Sequence, residues 1–127
     1  MAHIVLLGDS IFDNAAYVPA GTEVQARLQS LPGRPHRVSL LARDGSMLED
    51  MAAQVARLRE LPVRADWLVV SCGGNDVLGL VGAMHSQVDT VLEAAELLAA
   101  WQAGFRGGYL GMLDLLFPQA SPAAVAG

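Results

Sequence analysis

Two rhythms of apolar and polar positions succeed one another along the chain, short unbroken apolar runs and helical repeats, and their order predicts the elements. His3-Ile4-Val5-Leu6-Leu7 is a nearly continuous apolar run closed by Gly8, the pattern of a strand buried on both faces. Val24, Leu28 and Leu31 then fall at helical spacing, with Thr22 three residues before Gln25 as in a capping box and Leu31-Pro32-Gly33 as the stop. Residues 36–41 form a second strand candidate. Ser46-Met47-Leu48-Glu49 reads as a capping box opening a second helix, whose core stripe is Met47, Met51, Val55 and Leu58 and which ends before Pro62. Trp67-Leu68-Val69-Val70 predicts a third buried strand, closed by Ser71-Cys72-Gly73-Gly74.

From Ser86 to Phe117 apolar residues recur at a helical period, which predicts a rod of roughly 45 Å. Gly104, Gly107, Gly108 and Gly111 crowd its second half, and at up to about 1 kcal/mol of lost propensity each they predict a kink or break there. Their spacing is read as close packing against the sheet. The tail from Pro118 to Gly127 is small and featureless, and its last part, Ser121 to Gly127, reads as a stop near the start of a further strand.

Strands alternating with helices over short connections predict an α/β fold with a parallel sheet and right-handed crossovers. Composition narrows the function more than the fold. A length of 127 residues suits a single domain, and 53% hydrophobic against 17% charged residues excludes a disordered chain. The net charge is −5 and every basic residue is Arg. Residues 65–127 hold Arg106 alone against six acids, so no basic face is available for a phosphate backbone and no nucleic-acid partner is expected. Glu93, Glu96, Arg106 and Asp114 interrupt the greasiest stretch, so no membrane span is expected. One cysteine, Cys72, forms no intrachain disulfide, and the N-terminus lacks a basic region ahead of its apolar run, which together predict a cytoplasmic protein.

Ligands of open α/β sheets bind beyond the carboxyl ends of the strands, so the loops after the three runs are where chemistry is sought. They read Gly8-Asp9-Ser10, Asp44-Gly45-Ser46 and Gly73-Gly74-Asn75-Asp76. Together they offer a hydroxyl that can attack, glycine N–H groups that can face an oxyanion, and a side-chain amide that can donate to the same oxygen. No phosphate-binding glycine motif follows the first strand, so no dinucleotide, nucleotide or flavin cofactor is expected. Asp13, Asp44 and Asp76 near the same edge match no metal-binding spacing, so no metal is expected either.

Gly8-Asp9-Ser10-Ile11 behind the first strand, Gly45 behind the second and Gly73-Gly74-Asn75-Asp76 behind the third resemble the first three sequence blocks of the SGNH (GDSL-type) hydrolase family. The resemblance covers roughly residues 3–80. It implies a three-layer α/β/α, flavodoxin-like parallel sheet of order 2-1-3, a Ser10 nucleophile, an oxyanion hole from the Ser10 and Gly45 N–H groups and the Asn75 amide, and a small-molecule ester as substrate. Asp9 is expected to support the nucleophile loop by hydrogen bonds, and Asp76 to cap a loop.

The family's closing Asp-x-x-His block, which supplies the general base, has no counterpart, because no histidine here follows an aspartate by three positions. His3 and His36 open their strands at the far edge, which leaves His85 as the candidate base. The sheet is expected to stop before further strands, leaving an apolar edge that invites self-association. The alternative function is a catalytically silent fragment or interaction module that keeps the fold. Cys72, Trp67 and Trp101 are expected in the core.

Overall fold

The structure, a computed structural model, describes residues Met1 to Phe117. Strand β1 (Ala2–Gly8) lies between β2 (His36–Leu40) and β3 (Trp67–Ser71), all parallel, in the order 2-1-3 that the family resemblance implies. Ile4 pairs with Val38 on one side and with Trp67 on the other, so the even-numbered residues of β1 share one face with Val38, Leu40, Trp67 and Val69. The opposite face carries Val5 and Leu7 beside Leu68 and Val70. Val5, Leu6 and Leu7 are fully buried, and each contributes about 1.5 to 3 kcal/mol by leaving water.

Helix α1 (Val24–Gln29) packs along β2. Helix α2 (Met51–Arg59) and the C-terminal turns of α4 (Val91–Leu116) cover the Val5–Leu7 face, where Met51, Val55, Met112 and Leu116 join those strand residues in one core. Helix α3 (Gly74–Gly79) follows β3 directly and leads into a 3-10 turn at Ala83–His85. No helix of the described residues is long and apolar enough to cross a membrane.

Both expected capping boxes form differently. The Thr22 hydroxyl donates to the Pro19 carbonyl, and the Val24 N–H that opens α1 is held by Asn14 Oδ1 at 3.1 Å. Ser46 is buried against Gln54, and the cap before α2 comes from Asp50, whose carboxylate accepts the Met47 N–H at 2.8 Å. At α4 the cap is Thr90, which accepts the Glu93 N–H at 3.1 Å.

Two further expectations need correction. The glycines of α4 do not break it: the helix runs 26 residues without interruption. Packing of Tyr109, Met112 and Leu116 against the core outweighs their low propensity. Only Gly108 is close to a neighbour, with Leu48 Cδ1 at 3.3 Å from where a Cβ would stand, while Gly104, Gly107 and Gly111 face open space. The third strand is not buried on both faces. Trp67 is 66% exposed and Val69 40%, because α1 spans six residues and reaches only β2. Trp67 is therefore a surface residue, whereas Trp101 is half-buried. The expected strand start near Ser121 lies outside the described residues.

Candidate active site

The three loops converge at the carboxyl edge because β1 fits against β3 without a side chain between them. Gly8 has φ +124°, and a Cβ there would stand 1.8 Å from the Ser71 carbonyl oxygen. With only hydrogen in that space, the Asp9 N–H donates to Ser71 O at 3.0 Å. The chain then turns sharply. Asp9 is 5% exposed, its carbonyl accepts from the Phe12 and Asp13 N–H groups, and its Oδ1 accepts from Ile11 N at 3.1 Å. Asp9 thus holds the turn as a local hydrogen-bond acceptor. Ser10 sits at the outer point of the turn, partly exposed.

The second loop is a tight turn in which Ser46 N donates to Arg43 O at 3.1 Å. Gly45, at φ +80°, fills the third position, as a type II turn requires. Asp13 Oδ2 accepts the Asp44 N–H at 2.7 Å, tying this loop to the first, and the Tyr17 hydroxyl donates to the Asp44 carboxylate. That contact with Asp44 also raises the Tyr17 phenol above its ordinary pKa. The third loop is not open coil. Asn75 and Asp76 occupy the first turn of α3, an element too short and glycine-rich to read from periodicity. From there Asn75 Nδ2 donates to Ser46 O at 2.9 Å and Asp76 Oδ2 accepts from Leu48 N at 3.0 Å, so α3 is joined to the second loop at two points. Asp76 caps the neighbouring turn. Asp13 and Asp76 each accept a backbone N–H, and Asp44 accepts a phenol, so each of the three carboxylates is engaged in a different bond.

Asp9, Ile11, Asp44 and Ser46 each place their N–H on a protein acceptor. Among the described residues, the N–H groups of Ser10 and Gly45 and the Ser10 hydroxyl have none. The Asn75 amide has two N–H bonds and uses one on Ser46. In the first two loops the free backbone donors are therefore those of Ser10 and Gly45, while in the third the first-turn N–H groups of α3 and one Asn75 amide hydrogen are free as well.

No histidine bonds to a residue of these three loops among the described residues. His3, 2% exposed, lies with Nδ1 at 3.1 and 3.2 Å from the Val63 and Arg64 carbonyls, which only accept, so Nδ1 carries a proton, while Nε2 lies 2.8 Å from Ser39 Oγ. His36 bonds to the carbonyls of Leu28 and Arg34. His85 ends the 3-10 turn after α3, exposed, and its ring has no hydrogen-bond partner among the described residues. Cys72, half-buried behind β3, has its thiol pushed up to about 11 by desolvation and by the carboxylates of Asp76 and Asp9, which makes it a poor nucleophile.

One residue that organises the site is absent from the sequence expectations. Gln54, 1% exposed, accepts the Gly8 N–H and donates to the Gly8 carbonyl, both at 2.8 Å, and donates also to Ser46 Oγ at 3.2 Å. It thus fixes the end of β1 to the second loop. The signal was a polar residue one position before Val55 on the apolar stripe of α2. Two concavities adjoin these loops, and Ser10 lines neither. An apolar groove of about 630 Å³ runs between α4 and the Met47–Glu49 turn and meets the loops at Met47 and Asp76, and a hollow of about 530 Å³ contains Gly45, Ser46 and Gln54. Comparison of the chain with protein-family models, with curated proteins and with solved structures gave no match in any of the three.

Proposed function

We propose that the chain is a serine ester hydrolase of SGNH type, acting through Ser10. The observation that carries this reading is the selective freedom of the Ser10 and Gly45 N–H groups, beside neighbours whose donors are all engaged. Such preorganised, unspent donors are what a tetrahedral oxyanion needs. In the proposed sequence Ser10 Oγ attacks the ester carbonyl, and the oxyanion takes hydrogen bonds from Ser10 N–H, Gly45 N–H and the second Asn75 amide hydrogen. The alcohol leaves carrying the proton that Ser10 gave up, and water hydrolyses the acyl-enzyme, releasing the acid and returning a proton to Ser10 Oγ. An apolar acyl or alcohol group fits the groove that begins at Met47 and Asp76. The proposed setting is cytoplasmic, on the single thiol, and the proposed partners are a small ester and a second copy of the chain at the sheet edge.

A second reading is favoured by the absence of any histidine bonded near Ser10 among the described residues. Loss of the base costs a related triad on the order of a million-fold, with about 10³- to 10⁴-fold over water surviving from the oxyanion hole. On this reading the chain is a binding module with the fold of an esterase. Hydrolysis of p-nitrophenyl acetate by the full chain and by Ser10→Ala separates the two. Turnover that disappears in Ser10→Ala supports the hydrolase, and its further loss in His85→Ala, with a rate profile breaking near pH 6 to 7, would identify the base. Equal rates in chain and Ser10→Ala variant would establish the binding module.

A further inference from the structure

The two outer edges of the sheet are treated differently. On β2, Gln29 Nε2 donates to His36 O at 2.8 Å, Gln29 Oε1 accepts from Val38 N at 2.8 Å, and Gln25 Nε2 donates to Val38 O at 3.1 Å. Two side-chain amides of α1 take the place of a neighbouring strand. On β3 the bond from Asp9 N to Ser71 O sets the parity: Trp67, Val69 and Ser71 turn their backbone groups toward β1, so Leu68 and Val70 turn theirs outward. No described residue pairs with them. The segment Trp67-Leu68-Val69-Val70-Ser71-Cys72 also lacks the charges, prolines and bulges that blunt natural edges.

We propose that this edge is the seat of a second copy of the chain, with β3 pairing antiparallel to its counterpart about a two-fold axis at Val69 and giving a sheet of six strands. An isologous contact must be self-complementary, and this register is. It sets Leu68 opposite Val70 of the partner subunit, outward residue against outward residue, so each such pair exchanges both backbone hydrogen bonds. A shift by one position would set outward groups against inward ones. A centre on Leu68 would require the Asp66 N–H, which is already bonded to His3 O at 2.8 Å. A centre on Val70 would set Val69 against a serine. Centring on Val69 instead joins the two exposed valines, with Trp67 flanking them on the uncovered face.

Charge permits the contact although each copy carries −5. The seam itself is uncharged, and the two Asp66 side chains that border it stand roughly 20 Å apart along the strand, beyond the screening length at physiological salt. The glutamines of α1 occupy His36 O and both backbone groups of Val38, which leaves Leu40 as the outward residue of β2 without a partner among the described residues, too short a stretch to continue the sheet as β3 does.

Sedimentation velocity of the full chain over the micromolar range tests this. The expected result is a concentration-dependent dimer. Val69→Lys and Val69→Glu each set like charges directly opposite and weaken it by roughly tenfold or more, and an equimolar mixture of the two variants restores it. A wild-type chain that stays monomeric throughout, or charged variants that dimerise as the wild type does, overturns the proposal. Should a charged variant lose its far-UV helix signal, Val69→Cys in a Cys72→Ala background is read instead. Oxidised glutathione should link it into a covalent dimer, and failure to link overturns the register.

Discussion

The edge of β2, His36-Arg37-Val38-Ser39-Leu40, and the edge of β3, Trp67-Leu68-Val69-Val70-Ser71, flank the same central strand, yet one is largely covered and the other is open. At β2, Gln25 and Gln29 reach back from α1 and satisfy His36 O and both backbone groups of Val38. At β3 the helix that follows is α3, which turns away to join the second loop through Asn75 and Asp76 and leaves Leu68 and Val70 without partners among the described residues. The difference teaches that a helix can serve an edge or a site. α1 serves an edge, and α3 serves the candidate active site.

The contact between β1 and β3 sets the parity of the open edge, so the largest effect is expected where that contact is tightest. Gly8→Ala would press a methyl group into the Ser71 carbonyl at a backbone angle that L-residues avoid. No flexible side chain can yield there, so we expect a loss above about 4 kcal/mol, seen as insoluble protein or as a chain without a cooperative melt. A Gly8→Ala variant that melts near the wild-type temperature would mean that β1 and β3 are not paired in this register.

Next in size is the buried glutamine. Gln54 bonds to the Gly8 backbone as Gln25 and Gln29 bond to β2, but it does so at 1% exposure. Gln54→Leu strands the Gly8 N–H and should cost about 2 to 3 kcal/mol in a denaturant melt. The Gln25→Ala, Gln29→Ala double variant removes bonds at a wetter surface and should cost about 1 kcal/mol. Its sharper readout is assembly, because a second bare edge should convert a closed dimer into larger species in sedimentation. If the double variant assembles as the wild type does, the glutamines are not what finishes the β2 edge.

These residues also show what was legible in the sequence. The strands β1 and β3 and the loops behind them follow from apolar runs closed by glycines, because burial of a central strand leaves no room for polar positions, whereas the order 2-1-3 came with the family resemblance. The run Trp67–Val70 misleads for a physical reason: an apolar run reports that a strand could be buried on both faces, not that a helix exists to cover the second one. The donors of Ser10, Gly45 and Asn75 were legible as residue types behind strands, whereas Gln54 and the Asn75–Ser46 bond were not, since both depend on contacts distant in sequence. Capping boxes at Thr22 and Ser46 failed because a hydroxyl near a helix start had a competing carbonyl or a buried amide to bond.

A smaller effect separates the two strands by chemistry at their ends. Cys72 follows the open strand, and burial together with Asp76 and Asp9 pushes its thiol up to about 11. At pH 8 the thiolate is then on the order of a thousandth of the total, and alkylation by iodoacetamide should run about a hundredfold slower than for a free thiol. Unfolding should abolish the difference. Fast labelling of the native chain would show that this end of β3 is not desolvated.

The smallest effect lies at the finished edge. His36 opens β2 with Nε2 at 2.7 Å from the Leu28 carbonyl and Nδ1 at 3.1 Å from the Arg34 carbonyl. Both partners only accept, and a neutral imidazole carries one N–H, so only the imidazolium satisfies both. The Leu28 bond, then the Arg34 bond, accordingly raise the pKa of His36 above its ordinary 6.5. A group whose folded pKa is raised contributes stability that is complete below its unfolded pKa and lost as pH climbs through the folded one. The link between α1 and β2 should therefore be firmer at about pH 6 than at about pH 8, visible as faster amide exchange at Val38 on raising the pH. His36→Ala should flatten that dependence while His85→Ala leaves it in place. A Val38 exchange rate whose pH dependence is the intrinsic one alone would show that the α1–β2 edge is held by its glutamines without the histidine.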